Sequence, residues 1–86
     1  MPNRNYEKGR RKEYKIVNIL KNLNYKIVQR TAGSHSPIDI IAIKEDTKEI
    51  LFVQAKPDNF RKTQEEIIKK KNNWLNGKFT AKFEVR

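Results

Sequence analysis
Two apolar runs constrain this chain more than anything else in it: Ile38-Asp39-Ile40-Ile41-Ala42-Ile43 and Ile50-Leu51-Phe52-Val53-Gln54-Ala55-Lys56. Both are rich in β-branched and aromatic residues, and only Glu45-Asp46-Thr47-Lys48-Glu49 lies between them after Lys44. A polar link that short cannot hold a crossover, so the runs predict an antiparallel hairpin over about 38–44 and 50–56. Both runs are nearly continuous rather than alternating, which predicts a sheet covered on both faces by helices.

The remaining chain supplies those helices. From about Tyr6 to Leu23, Glu13, Ile16, Val17, Leu20 and Leu23 recur on one helical stripe, with Tyr6 slightly apart. Asn22 and Asn24 bracket the helix end, where a residue tolerant of left-handed backbone belongs. Tyr25 to Arg30 reads as a first strand, and Thr31 to Pro37, punctuated by Gly33 and Pro37, as a loop. Pro57 stops the third strand, and Asp58-Asn59 offers a cap to a second helix over about Phe60 to Leu75. Its stripe is Phe60, Ile67, Ile68, Trp74 and Leu75, with Trp74 and Phe60 expected in the core or a dimer interface. Asn76-Gly77 closes it, and Phe79 to Val85 alternates as a fourth strand. The order αβββαβ predicts one α/β domain over residues 1–86, a mixed sheet with helices on both faces.

A chain of 86 residues buries only about 60–65% of its unfolded surface, so a partner subunit would help it. It contains no cysteine, which excludes disulfides and thiolate metal sites. The polar start, Met1-Pro2-Asn3-Arg4-Asn5, has no apolar stretch of the signal-peptide kind, and no segment has the roughly 18–20 apolar residues of a membrane span. A cytoplasmic protein without membrane attachment is expected. Twenty Lys and Arg against ten Asp and Glu give a net charge of +10, a field that attracts polyanions, nucleic acid foremost. The plainer alternative is a lysine-rich solvated surface.

Polar residues inside the apolar runs carry the functional expectation. An unpaired buried charge costs several kcal/mol, so such a residue persists when a partner or a task holds it. Glu13 lies at the centre of the first helix's apolar stripe. Asp39 interrupts the second strand, and Gln54 and Lys56 share a face of the third. An acid on one strand, Gln-x-Lys on the next and a helix carboxylate facing them is the layout of a metal-dependent phosphodiesterase. Magnesium takes oxygen ligands and commonly one or two protein carboxylates, and Glu13, Asp39 and the Gln54 amide oxygen would supply them. Lys56 would orient the attacking water and offset charge in the transition state. The competing account is an ordinary Asp39–Lys56 salt bridge with Glu13 bending out to solvent. Arg4, Lys8, Arg10, Arg11 and Lys12 form a basic cluster around Glu13 and are expected on phosphates, unless they are a solvated helix face. His35 sits within reach of a phosphate from the loop before Asp39; the alternative is a solvent-facing loop histidine.

Gly9-x-x-x-Glu13, Arg30-Thr31-Ala32-Gly33-Ser34, Ser36-Pro37-Ile38-Asp39 and Gln54-Ala55-Lys56 together resemble the PD-(D/E)XK nuclease superfamily, most of all the archaeal Holliday junction resolvase family. The similarity spans about residues 8 to 56. It implies a restriction-endonuclease-like fold and a Mg2+- or Mn2+-dependent endonuclease that hydrolyses DNA, including branched DNA, as a homodimer. It further implies Glu13, Asp39, Gln54 and the Ala55 carbonyl as metal ligands, Lys56 as the catalytic lysine, and Arg30 and Ser34 near the scissile phosphate. The pattern departs at Gln54, where the family has an acid. That departure leaves two alternatives open: a catalytically inactive or weak DNA-binding module that kept the fold, or a structure-selective nuclease of the VRR-NUC type, which Gln64 and Trp74 resemble loosely.

Overall fold
The computed structural model describes residues 4–31, 36–57 and 59–86, with side chains of the first helix described from Arg10 onward. Its elements run α1 (Arg4–Asn22), β1 (Ile27–Arg30), β2 (Ile40–Ile43), β3 (Ile50–Val53) and α2 (Lys62–Lys71), followed by a 3-10 turn at Asn73–Leu75. Among the described residues the sheet has three strands in the order β1-β2-β3, antiparallel throughout. The chain is thus a small α/β domain, and the sheet is not mixed.

The apolar stripe of α1 is met in its middle; Leu23, also expected on it, is 54% exposed, and the Tyr6 side chain lies outside the described residues. Val17 and Leu20 are buried against Ile40 and Ala42, with Ile16, Tyr25, Val28, Leu51 and Val53 packed around them. The register explains the choice: Val28 pairs with Ala42 and Ile40 with Val53, so one pleat face carries all of these side chains toward α1. The helix ends at Asn24, whose φ of 70° lies in the left-handed region. The Tyr25 N–H donates to the Leu20 carbonyl at 3.3 Å and the Asn24 N–H to the Lys21 carbonyl at 3.2 Å. That pair of bonds is a Schellman closure, and it turns the chain straight into β1.

The hairpin forms as expected, closed by the Lys44 N–H on the Glu49 carbonyl at 2.9 Å. Lys48 takes φ 60° within the turn, and Asp46 Oδ1 accepts the Thr47 N–H at 2.8 Å.

The second half departs from expectation. No residue of α2 is buried, and Trp74, expected in the core or a dimer interface, is 67% exposed in the single chain, so it is not a core residue. The helix breaks at Asn72, whose backbone N–H and side-chain Nδ2 both donate to the Ile68 carbonyl. The Ile68 carbonyl thus accepts both the last regular backbone bond and a side-chain bond where the helix ends. Arg61, not Asp58 or Asn59, is the N-cap, and it makes no side-chain cap bond; Asp58 lies outside the described residues. The fourth strand is not formed. Residues 77–86 carry no strand pairing, and the segment touches the sheet where the Phe79 ring stands edge-on to Phe52 at 6.1 Å. The sheet face away from α1 is therefore only half covered, with Ile41 and Ile43 half-buried and Ile27 exposed. No helix among the described residues is long and apolar enough to cross a membrane.

Ile40 is fully buried at the centre of this small core. Ile40→Ala is expected to cost about 2–5 kcal/mol, read as a shift of the urea midpoint followed by circular dichroism.

Candidate functional site
Four of the expected site residues, Asp39, Gln54, Ala55 and Lys56, sit where the hairpin ladder stops. β2 begins at Ile40 and β3 ends at Val53, so Asp39, Gln54, Ala55 and Lys56 lie just beyond the strands rather than inside them. The Asp39 backbone is still bonded on both sides: its N–H donates to the Val53 carbonyl at 2.7 Å, and its carbonyl accepts the Thr31 N–H at 2.9 Å. Its carboxylate Oδ2 accepts the Ala55 N–H at 2.8 Å. A side-chain oxygen thus takes the donor that the next rung would have used, and that is why the ladder ends there. The preceding turn is tied by Thr31, whose hydroxyl donates to the Ile38 carbonyl, and by Ser36 Oγ, which accepts the Ile38 N–H at 3.0 Å.

Gln54 is half-buried, and its Oε1 is shut away from solvent with no hydrogen-bond partner. Lys56 is exposed, and its Nζ stands 5.5 Å from the centre of the Phe60 ring. The alternative Asp39–Lys56 salt bridge is not formed; the lysine engages an aromatic face and the aspartate a backbone amide.

Glu13 faces the sheet, as its stripe position required, and it has a cation. The Arg30 Nη2 donates to Glu13 Oε2 at 3.2 Å, with the two side chains only 29% and 18% exposed. A carboxylate on α1 is thereby held against the last residue of β1. The Arg30 Nε is buried without a partner, and its guanidinium lies 4.5 Å from the centre of the Tyr14 ring. Arg10, one turn earlier, lies 5.7 Å from the same ring and donates to the Tyr14 hydroxyl at 3.4 Å. That hydrogen bond, the Arg10 charge and then the Arg30 charge hold the Tyr14 hydroxyl below its ordinary pKa. The sequence reading missed Tyr14. Its signal was available in the i, i+4 spacing from Arg10 and its place next to Glu13.

Arg11 is exposed on α1. The Lys8 side chain, Ser34 and His35 lie outside the described residues.

The expected ligand atoms are all oxygens: the carboxylate of Asp39, the Gln54 amide oxygen and the Ala55 carbonyl at the ladder's end, and the Glu13 carboxylate on α1, whose described contact is with Arg30. A hard divalent cation prefers that chemistry, and the unpartnered Gln54 Oε1 is an oxygen with its desolvation cost uncompensated. Among the described residues no three His, Cys, Asp or Glu side chains cluster as a metal site. With Gln54 in place of an acid, the expected set itself contributes only two such side chains.

Two measurements probe this geometry. A double-mutant cycle over Glu13→Gln and Arg30→Met is expected to return a coupling of about 1 kcal/mol in urea unfolding. Spectrophotometric titration is expected to find Tyr14 ionising below the ordinary tyrosine range and moving upward in Arg10→Ala, since losing the cation disfavours the phenolate.

Compared with known proteins, the chain matches no family model, and no curated protein or solved structure matches it.

Proposed function
We propose that this chain is a divalent-metal-dependent endodeoxyribonuclease of the PD-(D/E)XK kind, similar to Holliday junction resolvases and acting on DNA that includes branched junctions. The observation that carries the reading is the meeting of Asp39 and the Gln54-Ala55 segment at the end of the hairpin, where the Asp39 carboxylate binds the Ala55 N–H and Gln54 Oε1 is buried without a partner. Glu13, turned toward the sheet and held by Arg30, and a net charge of +10 support it further.

In this reading Asp39, Gln54, the Ala55 carbonyl and Glu13 hold Mg2+ or Mn2+. The bound ion would acidify a water and neutralise charge on the phosphate. Lys56 leaves its resting place over Phe60 to orient the attacking water and to meet the charge that builds on the phosphoryl oxygens. Attack in line with the P–O3′ bond breaks that bond, leaving a 5′-phosphate and a 3′-hydroxyl. Arg30 releases part of its hold on Glu13 as phosphate and metal arrive, and Arg10, Arg11 and Lys8 contact the flanking backbone. Ser34 and His35 belong to the loop that approaches the scissile phosphate. A homodimer would present two such sites to the two strands of a junction.

The test is incubation with a four-way junction and with a linear duplex, in Mg2+, in Mn2+ or in EDTA. Metal-dependent cutting is expected, reduced on the order of 100-fold or more in Asp39→Ala and in Lys56→Ala while binding persists. Cutting of neither DNA in either metal overturns the enzyme reading, and equal cutting of both overturns only the preference for branches.

A second reading, a DNA-binding module without catalysis, is favoured by Gln54 itself, because two carboxylates bind a divalent ion more weakly than three. Calorimetry separates the two: tight, salt-sensitive DNA binding with no detectable Mg2+ or Mn2+ binding is expected of the module. A gain of cleavage in Gln54→Glu would show that only the acid was missing.

A further inference from the structure
Between β3 and α2 lies an open groove of about 770 Å³, floored by Ile50 to Pro57 and walled by Ile16 of α1 and Ile68 of α2. That volume falls within the roughly 300–1,000 Å³ of clefts that take small organic groups. Its lining is of three chemical kinds. An aromatic ring, Phe60, lines it half-buried, with Lys56 Nζ held 5.5 Å from the ring centre. Lys12 enters from α1 and Lys69 from α2. Lys69 is paired with Glu65 at 3.2 Å, so Lys12 and Lys56 set the positive charge of the groove. Three side-chain amides, Asn72, Asn73 and Asn76, complete the lining.

We propose that this groove binds an unpaired nucleotide of a single-stranded nucleic acid, its base inserted beside Phe60 and its phosphate on Lys56 and Lys12. Each kind of lining answers one part of that ligand. A base has an apolar face, which stacks on an aromatic side chain whatever its sequence. Its edge carries hydrogen-bond donors and acceptors, which side-chain amides match. The asparagines retain that capacity. Asn72 Nδ2 donates to the Ile68 carbonyl and Asn76 Nδ2 to Asn73 Oδ1, which leaves Asn72 Oδ1 and Asn76 Oδ1 as acceptors and Asn73 Nδ2 as a donor among the described residues. One sugar separates a base from its phosphate, and Lys56 beside the Phe60 ring sets a cation at that short remove.

Charge chooses this occupant over an apolar one. An apolar segment in the same place would take the lysine charges and the amides out of water and offer them nothing. A nucleotide meets ring, amides and cations at once, within a chain of net charge +10. A base inside a duplex is stacked on both faces and paired along its edge, so it must leave the stack to enter; the groove therefore selects unpaired nucleotides. Gln54, Ala55 and Lys56 lie on the same floor. Under the nuclease reading of that segment the cut falls beside an unpaired base, while the binding itself rests on the groove alone.

Fluorescence anisotropy in EDTA tests it on the full chain, with a short labelled adenine strand and an abasic strand carrying the same phosphates. The adenine strand is expected to bind about 10-fold or more tightly, the scale of one stacked base. Phe60→Leu is expected to bring it down to the abasic level while duplex binding, which needs only charge, stays unchanged. If that variant fails to fold, NMR of the unaltered chain decides. The side-chain amide signals of Asn72 and Asn76 are expected to shift with the adenine strand and not with the abasic one; shifts with both or with neither overturn the proposal. Equal affinity for the two strands overturns it as well. So does an adenine preference that Phe60→Leu leaves intact, which would place the stacking elsewhere, or a loss in that variant shared equally by strand and duplex. Because EDTA prevents metal-dependent cutting, failure of the nuclease reading leaves this outcome untouched, and the reverse holds too.

Discussion

The whole arrangement hangs on one contact, the seating of Val17 and Leu20 on Ile40 and Ala42. These four are the buried hydrophobic side chains among the described residues, and they join the only long helix to the central strand. Each buried aliphatic side chain is worth about 1.5–3 kcal/mol, against a folding balance that is a small difference of large terms. The contact also fixes register. A slip of one residue in β2 would turn Ile40 and Ala42 to the other face and bring Ile41 under the helix instead. Because Asp39 adjoins Ile40 and Glu13 precedes Val17 by four residues, the same contact sets where both acids stand.

Asp39 shows how a structural and a chemical demand can coincide. Its carboxylate ends the hairpin by taking the Ala55 N–H, which splays the chain just where Gln54, Ala55 and Lys56 follow. A regular ladder would have consumed those backbone groups and pointed the side chains alternately to either face. Ending it early leaves Asp39 and the Gln54–Lys56 segment on irregular chain, tied together by that one hydrogen bond. Irregular chain at the end of rigid strands is where binding groups are commonly found.

Much of this was legible in the sequence, for identifiable reasons. The α1 stripe, the Asn24 closure and the short polar hairpin link are local signals, and local physics decided them. The inward aim of Glu13 was legible because helical period alone sets it. Its partner was not, since Arg30 comes from a strand and only the packing of α1 on β1 brings the two together. Strand lengths were overestimated because apolar content does not reveal that Asp39 would claim a ladder donor. The early end of α2 at Asn72, where the Ile68 carbonyl accepts a side-chain as well as a backbone donor, carries no signal in composition, which reads Asn72 as one more polar residue. The alternation of 79–85 is a local signal that the structure leaves without strand pairing.

In the proposed reading, charge is what reconciles a site short of one acid with a polyanionic substrate. With Glu13 neutralised by Arg30, the candidate ligands present little net negative charge before DNA arrives, within a chain of net charge +10. A phosphodiester brings its own anionic oxygens to a cation, so the substrate can supply the charge that Gln54 does not. In such a site metal and DNA would bind cooperatively, each completing the other's charge balance, and reciprocity requires the coupling to be equal in both directions. Arg30 is the pivot of that balance. Paired with Glu13 it offsets the charge of a half-buried acid, and in the proposed reading a phosphate would offer it an alternative anion. The Arg30 Nε, buried and without a hydrogen-bond partner among the described residues, is a donor on the same guanidinium whose capacity the fold leaves unmet, at a desolvation cost.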